Sequence, residues 1–128
     1  TKTTFYNASG LDLSATEAGA YGSAYDIARL AGIFYRDHSE YFEMTTRSEA
    51  RISERTGTIT AEATTIPLQH ISGFVGAKTG YTDLAGGNLV AIFDLQPGVT
   101  VIAAVLGSSR EGRFTDVTKL IEAARQSL

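Results

Sequence analysis

Two apolar runs separated by one turn constrain this chain more than any other feature. NLVAIFDL (88–95) and VTVIAAVLG (99–107) flank Gln96-Pro97-Gly98. Each run has the length of a strand, and neither approaches the ~20 residues that span a bilayer. Pro-Gly at the junction predicts a tight turn, so the runs read as neighbouring antiparallel strands. Nearly continuous apolarity, without alternation, means that both faces of their sheet must be covered. The covering elements have to come from the rest of the 128 residues, which suffice for one domain with a real core.

Two segments supply them. Ser23 with Asp26 three residues later is a capping pattern, and Ile27, Leu30, Ala31 and Phe34 recur at helical spacing. With Ala24, Ala28 and Ile33 also apolar, this helix reads as buried on most sides and ends near Arg36-Asp37. A second helix is predicted over 109–126, with Phe114, Val117, Leu120, Ile121 and Ala124 as its apolar stripe. Residues 1–22 read as irregular, and a short segment is expected around Tyr41–Met44. ARISERTGTITAEA (50–63) alternates about Gly57 as a hairpin, and 73–81 reads as a third sheet strand. The order helix, hairpin, three antiparallel strands, helix defines an α+β layered fold, an antiparallel sheet covered by helices.

Composition removes several function classes. A net charge of −3 without a Lys/Arg cluster argues against nucleic acid as a partner. Zero cysteines exclude disulfides, thiol catalysis and zinc–thiolate sites. His38 and His70 lie far apart without ligand spacing and read as surface or turn residues, so no metal site is expected. The chain opens TKTTFYN without an initiator Met and without a signal-peptide pattern, which suggests a processed piece of a longer protein.

The chemistry concentrates in GFVGAKTGYTDLAGGNLVAIF (73–93), where Lys78 and Asp83 are the charges among five glycines. A lysine on a strand beside apolar neighbours either snorkels to solvent, as edge-strand lysines do, or faces a site. Lys78-Thr79-Gly80 by itself does not decide between these. Gly80 removes a side chain from the strand, so another backbone can approach. Thr79 adds a hydroxyl, and Gly80-Tyr81 adds N–H groups. Such an edge suits an extended peptide with a carboxylate, and one N–H could serve an oxyanion.

The segment resembles the third motif of the penicillin-recognising serine enzymes, where KTG accompanies S-x-x-K and Ser-x-Asn. More narrowly, the chain resembles the D-alanyl-D-alanine carboxypeptidases of low molecular mass. GFVGAKTGYTDLAGGNLV is similar to the family's glycine, KTG-x-T and A-G-x-N-L-V succession. FYNASGLD (5–12) is similar to its F-x-N-x-x-G-L-D segment, followed by GSAYDIARLA. VLGSSREGRFTDVTKLI resembles its closing strand, basic turn and helix. Residues 37–68 match poorly. FYNASGLD and AGGNLV argue against the related β-lactamases.

The resemblance implies roles residue by residue. Lys78 would shape the electrostatics around a nucleophilic serine and assist proton transfer. Thr79 would bind the terminal carboxylate of D-Ala-D-Ala or of a β-lactam, and Gly80 would leave room for the substrate backbone. The Tyr81 N–H would supply half of an oxyanion hole. Arg113 would sit near the substrate carboxylate, or else be a solvated arginine on the last helix. No cofactor is implied, and the site would lie outside the cytoplasmic membrane with peptidoglycan.

The nucleophile of that family is missing. None of the serines is followed three residues later by lysine, and no Ser-x-Asn occurs. Residues 1–128 are therefore expected to be the C-terminal part of such a catalytic domain, within a β-lactamase/transpeptidase-like fold. Alone the chain is expected to be inactive, since such a site acts as a unit. A non-catalytic peptidoglycan- or peptide-binding module of the same fold is the alternative. Self-association, or association with the absent helical half, is expected where apolar surface is left bare.

Overall fold

The computed structural model describes residues 2–55 and 57–128, with Glu54 described by its backbone only. A three-stranded antiparallel sheet is the centre: β5 (Phe74–Thr82), β6 (Gly86–Gln96) and β7 (Val99–Ser108), in the order β5-β6-β7. Preceding them are β1 (Thr4–Phe5), β2 (Ala20–Tyr21), α1 (Ala24–Asp37), α2 (Ser39–Glu43), β3 (Glu49–Glu54) and β4 (Gly57–Glu62). The last element is α3 (Gly112–Gln126), and 3-10 turns occupy Met44–Thr46 and Ile66–Leu68. The fold is α+β, as the residue pattern predicts.

Strand β6 explains why both apolar runs lack alternation. Leu89, Ala91 and Phe93 point to one face, where Val117 and Ile121 of α3 and Leu68 complete the core. Val90 and Ile92 point to the other, against Ala31 of α1 and Phe42 of α2. Period-two geometry thus feeds two separate cores from one strand. Phe93, Leu89, Ile92, Ile121, Val117 and Leu68 are all below 2% exposed. Each contributes about 1.5–3 kcal/mol through removal of apolar area from water.

Helix α1 begins as its capping pattern requires: the Ser23 hydroxyl accepts the Asp26 N–H at 3.1 Å. It is less buried than its composition suggests. Ala31 is its one buried residue, whereas Leu30 is 51% exposed and Phe34 41%. Ile27, Ala31 and Tyr35 form the stripe that meets the sheet. A single sheet face can bury only one stripe, so the second apolar face is left bare. The segment near Tyr41 is α2 followed by a 3-10 turn, and Phe42 is the side chain it buries.

Two boundaries also move. Helix α3 starts at Gly112, not Ser109, because the Ser109 hydroxyl accepts the Gly112 N–H at 2.9 Å and ends the extended chain there. Its stripe runs through Arg113, Val117 and Ile121, with Leu120 at the rim and 46% exposed. The 50–63 hairpin forms with Ile52 opposite Ile59, while Thr56 of its turn lies outside the described residues. Within 1–22, expected to be irregular, a two-residue ladder joins Thr4 to Tyr21 and Phe5 to Ala20. His38 follows α1 at the surface and His70 lies in an exposed turn. No helix among the described residues is long and apolar enough to cross a membrane.

Candidate functional site

The candidate residues lie on β5, which pairs with β6 on one side only. In an antiparallel strand, successive residues turn their N–H and C=O alternately to the two edges. Ala77 donates its N–H to the Thr45 hydroxyl at 2.9 Å, which places Ala77 among the residues facing away from β6. By alternation Thr79 and Tyr81 face the same outer edge, while Lys78 and Gly80 face β6. Past Thr45, no backbone group among the described residues pairs with that edge. An open edge with free N–H groups at Thr79 and Tyr81 is therefore present beside Lys78.

Lys78 stands opposite Val90, on the sheet face that α1 and α2 partly cover. Its ammonium is exposed and donates to the Thr79 carbonyl on the outer edge. The ion pairs among the described residues are Arg36–Asp37 and Arg51–Glu49, and the His38 ring nitrogen lies 3.6 Å from Glu40; none of these contacts involves Lys78. Three clefts meet at this side chain. One, of about 230 Å³, lies between β5 and the β3–β4 hairpin, with Thr45, Glu62, Thr64 and Thr79 in its wall. A second, of about 450 Å³, is lined by Phe5, Asp12, Gly80, Leu84 and Asn88. A third, of about 620 Å³, is apolar and runs between Ile27, Leu30, Phe34 and Tyr41.

Thr79 lines both the first and second clefts, and its hydroxyl lies 2.7 Å from that of Thr64. Tyr81 is exposed, and the Arg110 guanidinium lies 5.1 Å from its ring centroid. Arg113 does not line any of the three clefts. It is 7% exposed, its Nη1 donates to the Gly80 carbonyl at 2.7 Å, and its Cζ lies 4.9 Å from the Phe114 ring centroid. The structure thus brings Lys78, Thr79, Gly80 and Tyr81 to one open edge and seats Arg113 behind it.

The glycines of 73–93 separate into two kinds. A Cβ on Gly76 would stand 2.4 Å from the Phe42 carbonyl oxygen, and one on Gly87 would stand 2.2 Å from that of Ser109. Those positions need glycine for the chain's own packing. Gly80 does not: its φ is not positive, and a Cβ there would meet only the Asn88 Cβ at 3.8 Å. Nothing among the described residues accounts for that glycine.

The quoted motif segments also contain residues that sequence reasoning left without a role. Asn7 accepts the Gly10 N–H at 2.7 Å and donates to the Leu11 carbonyl at 2.8 Å, folding ASGL into a tight loop. That loop presents Asp12, which accepts the Thr82 hydroxyl at 3.0 Å. Asn88 donates to the Gly86 carbonyl and accepts the Gly107 N–H, both at 3.0 Å, tying the β5–β6 turn to β7. Polar residues recurring beside glycine in those segments were the available signal. Thr45 and Thr64 gave none, because they lie in the poorly matching region 37–68.

The fold that carries these residues agrees with the comparisons. The family model described as D-alanyl-D-alanine carboxypeptidase matches residues 1–110. The chain belongs to the D-alanyl-D-alanine carboxypeptidase family. Penicillin-binding protein D2 from Listeria monocytogenes, solved with ampicillin bound, is 34% identical, with a TM-score of 0.78 over 95% of this chain and 48% of that one. A peptidoglycan synthesis regulatory factor (PBP3) from Streptococcus pneumoniae is 25% identical, with a TM-score of 0.79 over 98% of this chain and 42% of that one. The D-alanyl-D-alanine carboxypeptidase from Mycobacterium tuberculosis, 23% identical, shares the fold with a TM-score of 0.67 over 91% of this chain and 45% of its own. The chain thus spans about half the length of these relatives. No curated protein matches it.

Proposed function

We propose that this chain contributes the substrate-binding strand of a serine-type D-alanyl-D-alanine carboxypeptidase that trims peptidoglycan stem peptides. The observation that carries the reading is Gly80, a glycine without an internal reason on an open edge beside an ammonium and a hydroxyl. A stem peptide ending in D-Ala-D-Ala would lie extended along β5 by strand addition. The Thr79 hydroxyl would hold its terminal carboxylate, and the Gly80 gap would admit its backbone. The outward N–H of Tyr81 would face the carbonyl oxygen of the penultimate D-Ala as charge develops there.

The nucleophile comes from outside these 128 residues, since no Ser-x-x-Lys or Ser-x-Asn is present. A serine hydroxyl would attack the penultimate carbonyl and expel D-alanine, and water would then hydrolyse the acyl-enzyme. Lys78 would favour the transfer of the serine proton by its positive charge. A β-lactam would follow the same path as far as the acyl-enzyme. No cofactor takes part in this scheme, and its substrate places it outside the cytoplasmic membrane.

Labelling with a fluorescent penicillin tests the proposal. The chain alone should stay unlabelled, whereas the chain extended upstream in its native sequence should form an adduct that survives denaturation. If the extended form also stays unlabelled, catalysis is lost as an explanation and a non-covalent peptide-binding module takes its place.

A further inference from the structure

The Thr79 hydroxyl is paired with a second one. The Thr64 Oγ1, 15 residues upstream, lies 2.7 Å from the Thr79 Oγ1, and either can be the donor. Among the described residues, neither side chain has another hydrogen-bond partner. Thr64 is exposed, and a neutral hydroxyl pair at the surface adds little to stability. Its neighbours fasten the chain here. Thr65 is 3% exposed, and its hydroxyl donates to the Thr45 carbonyl at 2.6 Å. Thr45 donates its own hydroxyl to the Phe42 carbonyl at 2.6 Å and accepts the Ala77 N–H at 2.9 Å. On the other side of Thr64, the Ala63 N–H bonds the Ser48 carbonyl at 2.9 Å. Thr64 is thus held between two anchored residues, and its hydroxyl is not needed to join the hairpin to β5.

Lys78, Thr79 and Gly80 all line the 450 Å³ cleft, whereas Thr64 lines the 230 Å³ cleft and neither of the others. A ligand that meets Thr79 beside Lys78 and Gly80 therefore has Thr64 behind the Thr79 hydroxyl. A threonine hydroxyl carries one proton and two acceptor positions. If Thr79 donates to Thr64, it turns only lone pairs toward an arriving carboxylate. If Thr64 donates instead, the Thr79 proton is free for that carboxylate. Negative charge favours the second arrangement, because both O–H dipoles then point at it. Accepting a hydrogen bond also makes the Thr79 hydroxyl a stronger donor, as in any hydrogen-bonded chain.

We propose that Thr64 is a positioning residue for the ligand carboxylate: it donates to Thr79, so that Thr79 donates outward. The inference rests on the carboxylate role proposed for Thr79 and adds a second hydroxyl to that site. Thr64 acts through Thr79 and does not touch the ligand.

A double-mutant cycle tests this on the chain extended upstream in its native sequence, read as the rate of penicillin acylation at low penicillin concentration. Thr79→Val should slow acylation about 30-fold, the loss of a hydrogen bond to a charged group. Thr64→Val should slow it about fivefold, the loss of a neutral one. In the Thr79→Val background, Thr64→Val should have no further effect, because the hydroxyl it serves is gone. Thr64→Ser, which keeps the donor, should restore the rate to within about twofold of wild type. Melting temperatures of the Thr64 variants should match wild type, since the side chain is exposed. A fivefold loss that persists without the Thr79 hydroxyl would make Thr64 a direct ligand and overturn the positioning role. A lowered melting temperature with no rescue by serine would make Thr64 structural and overturn it too. So would an unchanged rate in Thr64→Val beside a slowed Thr79→Val, which leaves the carboxylate role of Thr79 intact. An unchanged rate in Thr79→Val, or an unlabelled wild type, would remove that role and this inference with it.

Discussion

Asp12 and Thr82 stand 70 residues apart in the chain, and their side chains meet at 3.0 Å. The second carboxylate oxygen accepts the Leu84 N–H at 3.4 Å, and the Thr82 hydroxyl accepts the Ala85 N–H at 3.0 Å. This contact fastens the N-terminal loop to the end of the strand bearing Lys78, Thr79 and Gly80. Asp12, with Leu84 and Ala85, also lines the 450 Å³ cleft. Asp12→Ala should destabilise the chain by about 1.5–3 kcal/mol, the usual range for hydrogen bonds to a charged group. Thr82→Val should cost less, and a double-mutant cycle should return a coupling of about 0.5–1.5 kcal/mol. Urea unfolding measures all three; additive losses would mean that the contact carries no energy.

The contrast between Gly80 and Gly76 gives a second expectation. Gly80→Ala should leave stability within about 0.5 kcal/mol of wild type, because its Cβ finds room and its backbone is unstrained. It should weaken binding of an extended peptide or β-lactam at least about tenfold, since a methyl group would project where the ligand backbone passes. Gly76→Ala should behave oppositely, losing roughly 1–3 kcal/mol of stability as Phe42 is pushed away. Thermal melts and a binding titration on both variants decide the matter. Should Gly80→Ala unfold the chain, the glycine is structural and the argument for a ligand at this edge is lost.

The N-terminus of α1 has a pH dependence of known sign. The Lys2 N–H and the Thr3 hydroxyl both bond the Asp26 carboxylate, at 2.9 and 2.8 Å. These bonds, the backbone one foremost, hold the Asp26 carboxyl below its ordinary pKa despite some opposing desolvation. A depressed folded-state pKa contributes stability above the unfolded value of about 3.9, and that contribution vanishes as pH falls through the folded value. Acid unfolding should therefore be less steep in Asp26→Asn than in wild type below about pH 4. Identical pH profiles would show that the bonds do not favour the charged form. Ser23→Ala, which removes the cap without removing this charge, should cost about 1 kcal/mol at neutral pH.

The sheet was legible in the sequence because β6 and β7 are apolar on both faces, which few other folds permit. The Ser23 cap was legible because a hydroxyl three residues before a carboxylate is a local signal. Lys78 to Tyr81 stood out as a candidate site through the family resemblance, and the outward N–H groups of Thr79 and Tyr81 followed once the strand was known to be an edge. Three things were hidden. Leu30, Ile33 and Phe34 look buried by composition, yet one sheet face accommodates only one stripe of α1. Arg113 could be read as a solvated arginine, because nothing local reveals that α3 buries it against the Gly80 carbonyl. Asp12 and Thr82 needed the fold itself, since a contact across 70 residues leaves no periodicity to read.

The bare stripe of α1 leads to the last expectation. Leu30, Phe34 and Tyr41 are 51%, 41% and 55% exposed and line the apolar cleft of about 620 Å³ that ends at Lys78. Phe34 is held there by stacking, with the His38 and Tyr41 ring centroids 5.3 and 5.5 Å away. A contiguous apolar surface of this kind favours association in water, because covering it releases about 25 cal/mol for each Å² buried. The 128-residue chain on its own should therefore self-associate, with a sedimentation coefficient that rises with concentration. Leu30→Glu should suppress that rise while leaving the helical circular dichroism intact, since Leu30 is half exposed and its replacement disturbs little of the core. A chain that stays monomeric at all concentrations, or a Leu30→Glu variant that associates as strongly as wild type, would show that this face is not the sticky one.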